Sequence, residues 1–204
     1  MKQQLLLIVA LVFLTATVSA QKAASSVAKT KTNRFVPGQT KGELFGIGFS
    51  LSDFNAPKNF GGNSNAKSLS IKDMSLGVAF SYWKGLTPMI DFSTKFTGIF
   101  HDYAALYNNL PGKTEFGLEL EPSVNIRPLK DENIWSPFVT VGAGIGLYTN
   151  RIGAFVPLGV GIQINGGSNT YFFVQAQYKI SFTPKVMPDN LLYSIGFAQN
   201  IAGD

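Results

Sequence analysis

The chain contains no cysteine and a single histidine, and after its first twenty residues it has no long apolar run. The absence of cysteine excludes disulfides, thiolate metal sites and cysteine nucleophiles. One histidine gives little support to a transition-metal site. The later apolar runs are shorter than the ~20 residues that a spanning helix needs. We therefore predict no metal, no cofactor and no helical membrane span in the mature chain.

The first twenty residues have the pattern of a cleavable secretory signal. Lys2 precedes the apolar run 5–14, and Val18, Ser19 and Ala20 follow, with small residues at the two positions that a signal peptidase reads. We predict cleavage between Ala20 and Gln21, with residues 1–20 as the signal peptide. The alternative, an N-terminal membrane anchor, needs a longer apolar core. The lack of a nearby cysteine excludes a lipid-anchored lipoprotein.

The formal charge of +5 belongs mainly to one short segment. Residues 21–41 carry no acidic side chain, and their basic residues are Lys22, Lys29, Lys31, Arg34 and Lys41. From Gly42 onward the chain has 11 basic and 12 acidic residues, so it is close to neutral. We predict that 21–42 is a disordered basic segment in the periplasm, either a solvated linker or one that touches anionic groups. The neutral remainder argues against nucleic-acid binding.

Strand-period alternation dominates the rest of the chain. In 114–127, Phe116, Leu118 and Leu120 share one face, whereas Glu119 and Glu121 share the other. Eight stretches of this kind are present, at 43–51, 70–82, 87–100, 114–127, 135–148, 153–164, 170–182 and 190–200. They predict an all-β fold: an eight-stranded antiparallel up-and-down transmembrane β-barrel over 43–200, followed by a tail at 201–204. In a membrane barrel the apolar residues face lipid and the polar residues face the lumen.

The connections between the strands alternate in length. Those after strands one, three and seven are longer, those after strands two, four and six are turn-like, and the short one after strand five breaks the pattern. Long loops mark the outside of such barrels and short turns the periplasm, so we predict external loops at 52–69 and 101–113. We also predict interfacial aromatics near the strand ends, namely Tyr82, Trp83, Phe100, Trp135, Tyr148, Tyr171, Phe182 and Tyr193.

Charged residues of both signs fall on the predicted inward faces. They are Asp73, Asp91, Lys95, Glu115, Glu119, Glu121, Arg127, Arg151 and Lys179. An isolated buried charge is costly, so we predict a network of ion pairs that closes the lumen. A gated ion path or an acid–base site is the alternative. His101 and Asp102 could suggest a catalytic His–Asp pair. Adjacent residues in a strand face opposite ways, so the two side chains could not act together, and we predict that His101 lies exposed in a loop.

Three stretches carry a resemblance to a known family: 46–49, 141–146 and the closing 192–197. With them the chain resembles the OmpA-like eight-stranded outer-membrane β-barrels, in the form common among Bacteroidota. The resemblance implies contact with outer-membrane lipid and insertion by the barrel-assembly machinery, which reads an aromatic-ended last strand. Many members continue into a peptidoglycan-binding domain; this chain ends four residues after Asn200, so we expect that domain to be absent.

These features predict a non-enzymatic protein of the cell outer membrane. The favoured role is structural or surface-interacting, with an external ligand bound through the loops. A small pore, or a PorT-like accessory of transport or secretion, is the alternative. A lipid-modifying barrel enzyme needs a serine against His101. A soluble lipocalin-like carrier needs its apolar residues inside the barrel.

Overall fold

The computed structural model describes residues 40–54, 56–57, 71, 74–102, 114–129, 134–148, 150–166 and 170–201. The predicted signal peptide, its cleavage site and most of the basic segment lie outside these residues, as do 202–204 and most of the two predicted external loops. Among the described residues, no helix is both long enough and apolar enough to cross a membrane.

The described chain forms eight strands, as the alternation predicts. They are β1 (Glu43–Asp53), β2 (Ser75–Gly85), β3 (Ile90–Asp102), β4 (Thr114–Ile126), β5 (Trp135–Gly142 continued by Gly144–Tyr148), β6 (Arg151–Asn165), β7 (Thr170–Ser181) and β8 (Asn190–Asn200). The ladder of β5 is interrupted only at Ala143, whose N–H donates to the carbonyl of Pro122 at 3.1 Å. The pairing with β6 keeps one register on both sides of this break, so β5 is a single strand.

Every strand is antiparallel to its neighbours, and β8 pairs with β1 to close the sheet. The paired positions can be followed once around the barrel from Glu43 through Lys84, Phe92, Val124, Val141, Leu158, Tyr178 and Leu191 to Asp53. The circuit thus returns to β1 ten residues further along the strand. For eight strands this stagger corresponds to a tilt of about 40°.

The barrel has two distinct ends. Leu44 pairs with Asn200, so β1 begins and β8 ends at the same end of the barrel. The connections after β2, β4 and β6 lie at this end too, and we call it the terminus end. The connections after β1, β3, β5 and β7 lie at the opposite end, the loop end.

The outward faces of the strands form an apolar surface that we call the outer belt. Its residues are between about a third and two thirds exposed, and they include Phe45, Phe80, Phe96, Phe100, Phe116, Leu120, Ile126, Val139, Val141, Ile145, Leu147, Leu158, Val160, Ile162, Ile164, Phe172, Val174, Ile180 and Ile195. Most buried side chains in the lumen are instead polar or charged. This is the reverse of a protein folded around an apolar core in water.

Several strand boundaries differ from the prediction. β1 extends to Asp53 and β3 to Asp102, so the loops predicted at 52–69 and 101–113 each lose their first two residues to a strand. β2 runs from Ser75 to Gly85, whereas the stretch predicted for it is 70–82. Met89 falls within the stretch predicted as a strand at 87–100, but it lies before β3 and is exposed.

Candidate functional site

The middle of the lumen holds a network of buried ion pairs. The ammonium group of Lys179 contacts a carboxylate oxygen of Glu119, and it lies 3.3 Å from an oxygen of Glu121. Lys95 lies 3.3 Å from the other oxygen of Glu121. All four side chains point inward because they share the parity of the buried positions on β3, β4 and β7. We call them the central network.

Neutral side chains complete the central network. Gln177 donates to Glu121 at 2.8 Å and accepts from Lys95 at 2.7 Å, while the hydroxyl of Tyr148 donates to Glu119. A second chain of hydrogen bonds runs beside it, through Gln175, Thr140, Asn125 and Ser93. A buried carboxylate is tolerated when it is both paired with a cation and accepts hydrogen bonds, as Glu119 and Glu121 do here.

A second charged cluster lies at the terminus end. Arg127 holds both oxygens of Asp91, from Nε at 2.8 Å and from Nη2 at 3.0 Å. The ammonium group of Lys41 reaches the same carboxylate at 2.7 Å. The sequence predicts Lys41 to be part of the disordered basic segment. This is wrong for Lys41, because its side chain is fully buried in the barrel mouth.

Aromatic side chains fill the lumen on either side of the central network. Toward the terminus end the buried cluster comprises Leu44, Trp83, Phe138, Tyr171, Phe173 and Ala198. Toward the loop end it comprises Phe54, Tyr148, Phe155 and Met187. A barrel of eight strands has a lumen narrow enough for side chains to fill it, and here they do so over the described length.

Three of the eight predicted interfacial aromatics face the lumen instead. Trp83, Tyr148 and Tyr171 are at most 5% exposed, so that prediction is wrong for them. Each shares the parity of the inward residues of its own strand, and proximity to a strand end does not change that. The other five lie on outward-facing or exposed positions: Tyr82, Phe100, Trp135, Phe182 and Tyr193.

The nine predicted lumen charges divide into three groups. Six are buried in the two clusters: Asp91, Lys95, Glu119, Glu121, Arg127 and Lys179. Arg151 is exposed, so the prediction that it belongs to the lumen network is wrong. It has the inward parity of β6, but it is the first residue of that strand and directly follows the short β5–β6 connection. Asp73 and the side chain of Glu115 lie outside the described residues.

His101 is buried inside the barrel, at 2% exposure, and is not the exposed loop residue that the sequence predicts. Its ring packs against Phe54 and Tyr148, with centroid distances of 5.3 and 5.0 Å. The error follows from the boundary of β3, which continues through His101 and keeps its inward parity. Within the described part of the chain, no three His, Cys, Asp or Glu residues are grouped so that they could hold a metal ion.

Comparisons with known proteins agree with this fold. No protein-family model and no curated protein matches the chain. The N-terminal β-barrel domain of OprF from Pseudomonas aeruginosa is 10% identical, with a TM-score of 0.51 over 79% of this chain and 98% of that one. Neisserial surface protein A is 9% identical, with a TM-score of 0.50 over 78% of this chain and 96% of that one. The chain thus has the fold of the eight-stranded outer-membrane β-barrels, and at these identities the likeness concerns the fold alone.

Proposed function

We propose that this protein is an integral outer-membrane β-barrel with a closed lumen and a structural or surface-interaction role. The observation that carries the proposal is the inverted distribution of side chains, with the apolar outer belt exposed and the charges buried in pairs. Lipid would cover the outer belt and remove its apolar surface from water. A soluble carrier of apolar ligands would need the opposite arrangement.

The filled lumen supports a structural role over that of a pore. The central network and the two aromatic clusters occupy successive levels of the barrel, and most of their side chains are nearly inaccessible to solvent. Function would then reside at the surfaces, where the loops at 52–69 and 101–113 would face the exterior and meet an external ligand. Insertion would depend on the barrel-assembly machinery, and the protein would not be an enzyme.

Heat-modifiability in the isolated outer-membrane fraction tests the membrane proposal. Unboiled protein should migrate faster than boiled protein on a detergent gel, because a closed barrel resists the detergent until it is heated. It should also stay with the membrane after a carbonate wash. Release into the soluble fraction, with no difference between the two bands, would contradict the proposal.

Single-channel recording tests the closed lumen separately. Purified protein in a planar bilayer should give no stable conductance step, with a porin added to the same bilayer as a positive control. A reproducible step from the wild-type barrel would favour a small pore or a transport accessory.

A further inference from the structure

Lys41 enters the barrel mouth from outside the strand ladder. It lies two residues before β1, and its carbonyl accepts a hydrogen bond from the N–H of Gly85 at 3.1 Å. Gly85 permits this approach, because a Cβ there would lie 2.6 Å from the Lys41 nitrogen and 2.7 Å from its oxygen. The backbone is thus held at the rim while the side chain passes into the lumen.

The ammonium group of Lys41 lies in a pocket suited to a cation. It is 2.7 Å from Asp91 Oδ2, and it also donates to the side-chain oxygen of Gln163. The rings of Tyr171 and Trp83 lie 5.3 and 5.9 Å away, within the range of cation–π attraction. We call these four residues the ammonium pocket.

The walls of the ammonium pocket are held by contacts that do not involve Lys41. Trp83 stacks on Phe173 with a centroid distance of 4.4 Å and an interplanar angle of 9°. Asp91 is fixed by its paired contacts with Arg127 at 2.8 and 3.0 Å. The four pocket residues come from β2, β3, β6 and β7, whose pairing does not require the residues before β1. The pocket should therefore persist when the lysine side chain is removed.

We propose that this pocket is a binding site for primary alkylammonium groups, which Lys41 occupies in cis. Asp91 supplies the countercharge, Gln163 an acceptor, and the two rings the faces that attract a cation. Because Lys41 is tethered beside the pocket, its effective concentration there is high and dilute free amines do not displace it. The site is independent of whether the barrel lies in a membrane, because every contact is inside the lumen.

Chemical rescue of a Lys41→Ala variant tests the proposal. Propylammonium replaces the three carbons and the nitrogen that the substitution removes. With folded variant in detergent micelles, propylammonium should raise the temperature at which the heat-modifiable band is lost, saturably and at millimolar concentrations. The neutral analogue 1-propanol and sodium chloride of equal ionic strength should not, and the wild-type protein should respond to none of them.

Two further variants separate the pocket from general effects of an amine. Lys84→Ala removes an exposed lysine at the same end, which pairs with Glu43 at 2.9 Å, and propylammonium should not restore that variant. In the Lys41→Ala background, Tyr171→Leu removes one ring of the pocket and should weaken the rescue several-fold. An equal response to propylammonium and to 1-propanol, or none to either, would overturn the proposal.

Folding yield provides the readout if Lys41→Ala does not fold by itself. Refolding should then succeed with propylammonium in the buffer and fail with 1-propanol at the same concentration. Failure in both buffers would contradict the proposal, because the pocket would not have accepted the free amine.

Discussion

Removing Lys179 should destabilise the barrel more than removing any exposed lysine. Its ammonium group is fully buried and serves two carboxylates, Glu119 and Glu121, which are 2% exposed. The neutral variant Lys179→Met has a similar length, so it changes the charge with little change in volume. Glu121 would then keep its ion pair with Lys95 at 3.3 Å, whereas Glu119 would lose the ammonium group that it contacts.

The expected loss of unfolding free energy depends on the contacts that Glu119 and Glu121 keep in the Lys179→Met variant. Breaking a buried ion pair by deleting one partner costs about 3–5 kcal/mol, because an uncompensated charge stays buried. Glu119 retains the hydroxyl of Tyr148, and Glu121 retains Lys95 and Gln177. These remaining contacts place the expected loss of unfolding free energy near the lower limit, at about 3 kcal/mol.

Urea-induced unfolding in phospholipid vesicles measures this loss, with tryptophan fluorescence and the gel shift as two readouts. Lys84→Met is the matched control, since Lys84 pairs with Glu43 in an exposed position and its removal should change stability little. An equal effect of both substitutions would refute the reasoning.

A double-mutant cycle isolates the pair itself. Glu119→Gln combined with Lys179→Met removes both charges, so the double variant should lose less stability than the two single losses together. The coupling should be about 1–3 kcal/mol, in the range of residues in direct contact. Additive losses would mean that the lumen charges do not interact as the geometry indicates.

Three other substitutions probe different parts of the molecule. Leu120→Lys places a charge on the outer belt, where the residue is 43% exposed. In vesicles this should cost about 2–4 kcal/mol by urea unfolding, whereas an outer face in water would show no such loss. Gly144→Ala should destabilise by about 1–3 kcal/mol in the same assay, since the new methyl group would collide with the ring of Phe155. His101→Ala should lower thermal stability by removing its packing against Tyr148, yet leave the lipid A and phospholipid profiles unchanged by mass spectrometry. An altered lipid profile would support an enzyme.

The strands and their faces were predictable because each depends on local alternation. The period-two pattern of β4 places Glu119 and Glu121 inward without any knowledge of the neighbouring strands. The same parity would have placed Tyr148 and Tyr171 in the lumen, had it been preferred to their position near a strand end. To predict that Trp83 faces the lumen, one must know that β2 continues to Gly85, and alternation defines strand ends less well than strand faces.

The ion pairs could not be assigned from the sequence, because they depend on the stagger of the closed barrel. Lys179 and Glu119 lie on β7 and β4, which are not adjacent, so no ladder register links them directly. The ion pair of Lys41 was still harder to predict, because continuing the alternation of β1 would place its side chain on the outer face. Its side chain enters the mouth because the chain at Lys41 lies outside the β1 ladder, where its carbonyl accepts a hydrogen bond from the N–H of Gly85.

The inward glycines explain how so many large side chains fit into one narrow lumen. A Cβ at Gly144 would collide with the ring of Phe155, one at Gly146 with Tyr148, and one at Gly161 with Phe138. Each ring lies against the wall over a position that has no side chain. The far ends of these rings therefore occupy the space above the glycines, and the lumen is closed by charges and aromatic rings together.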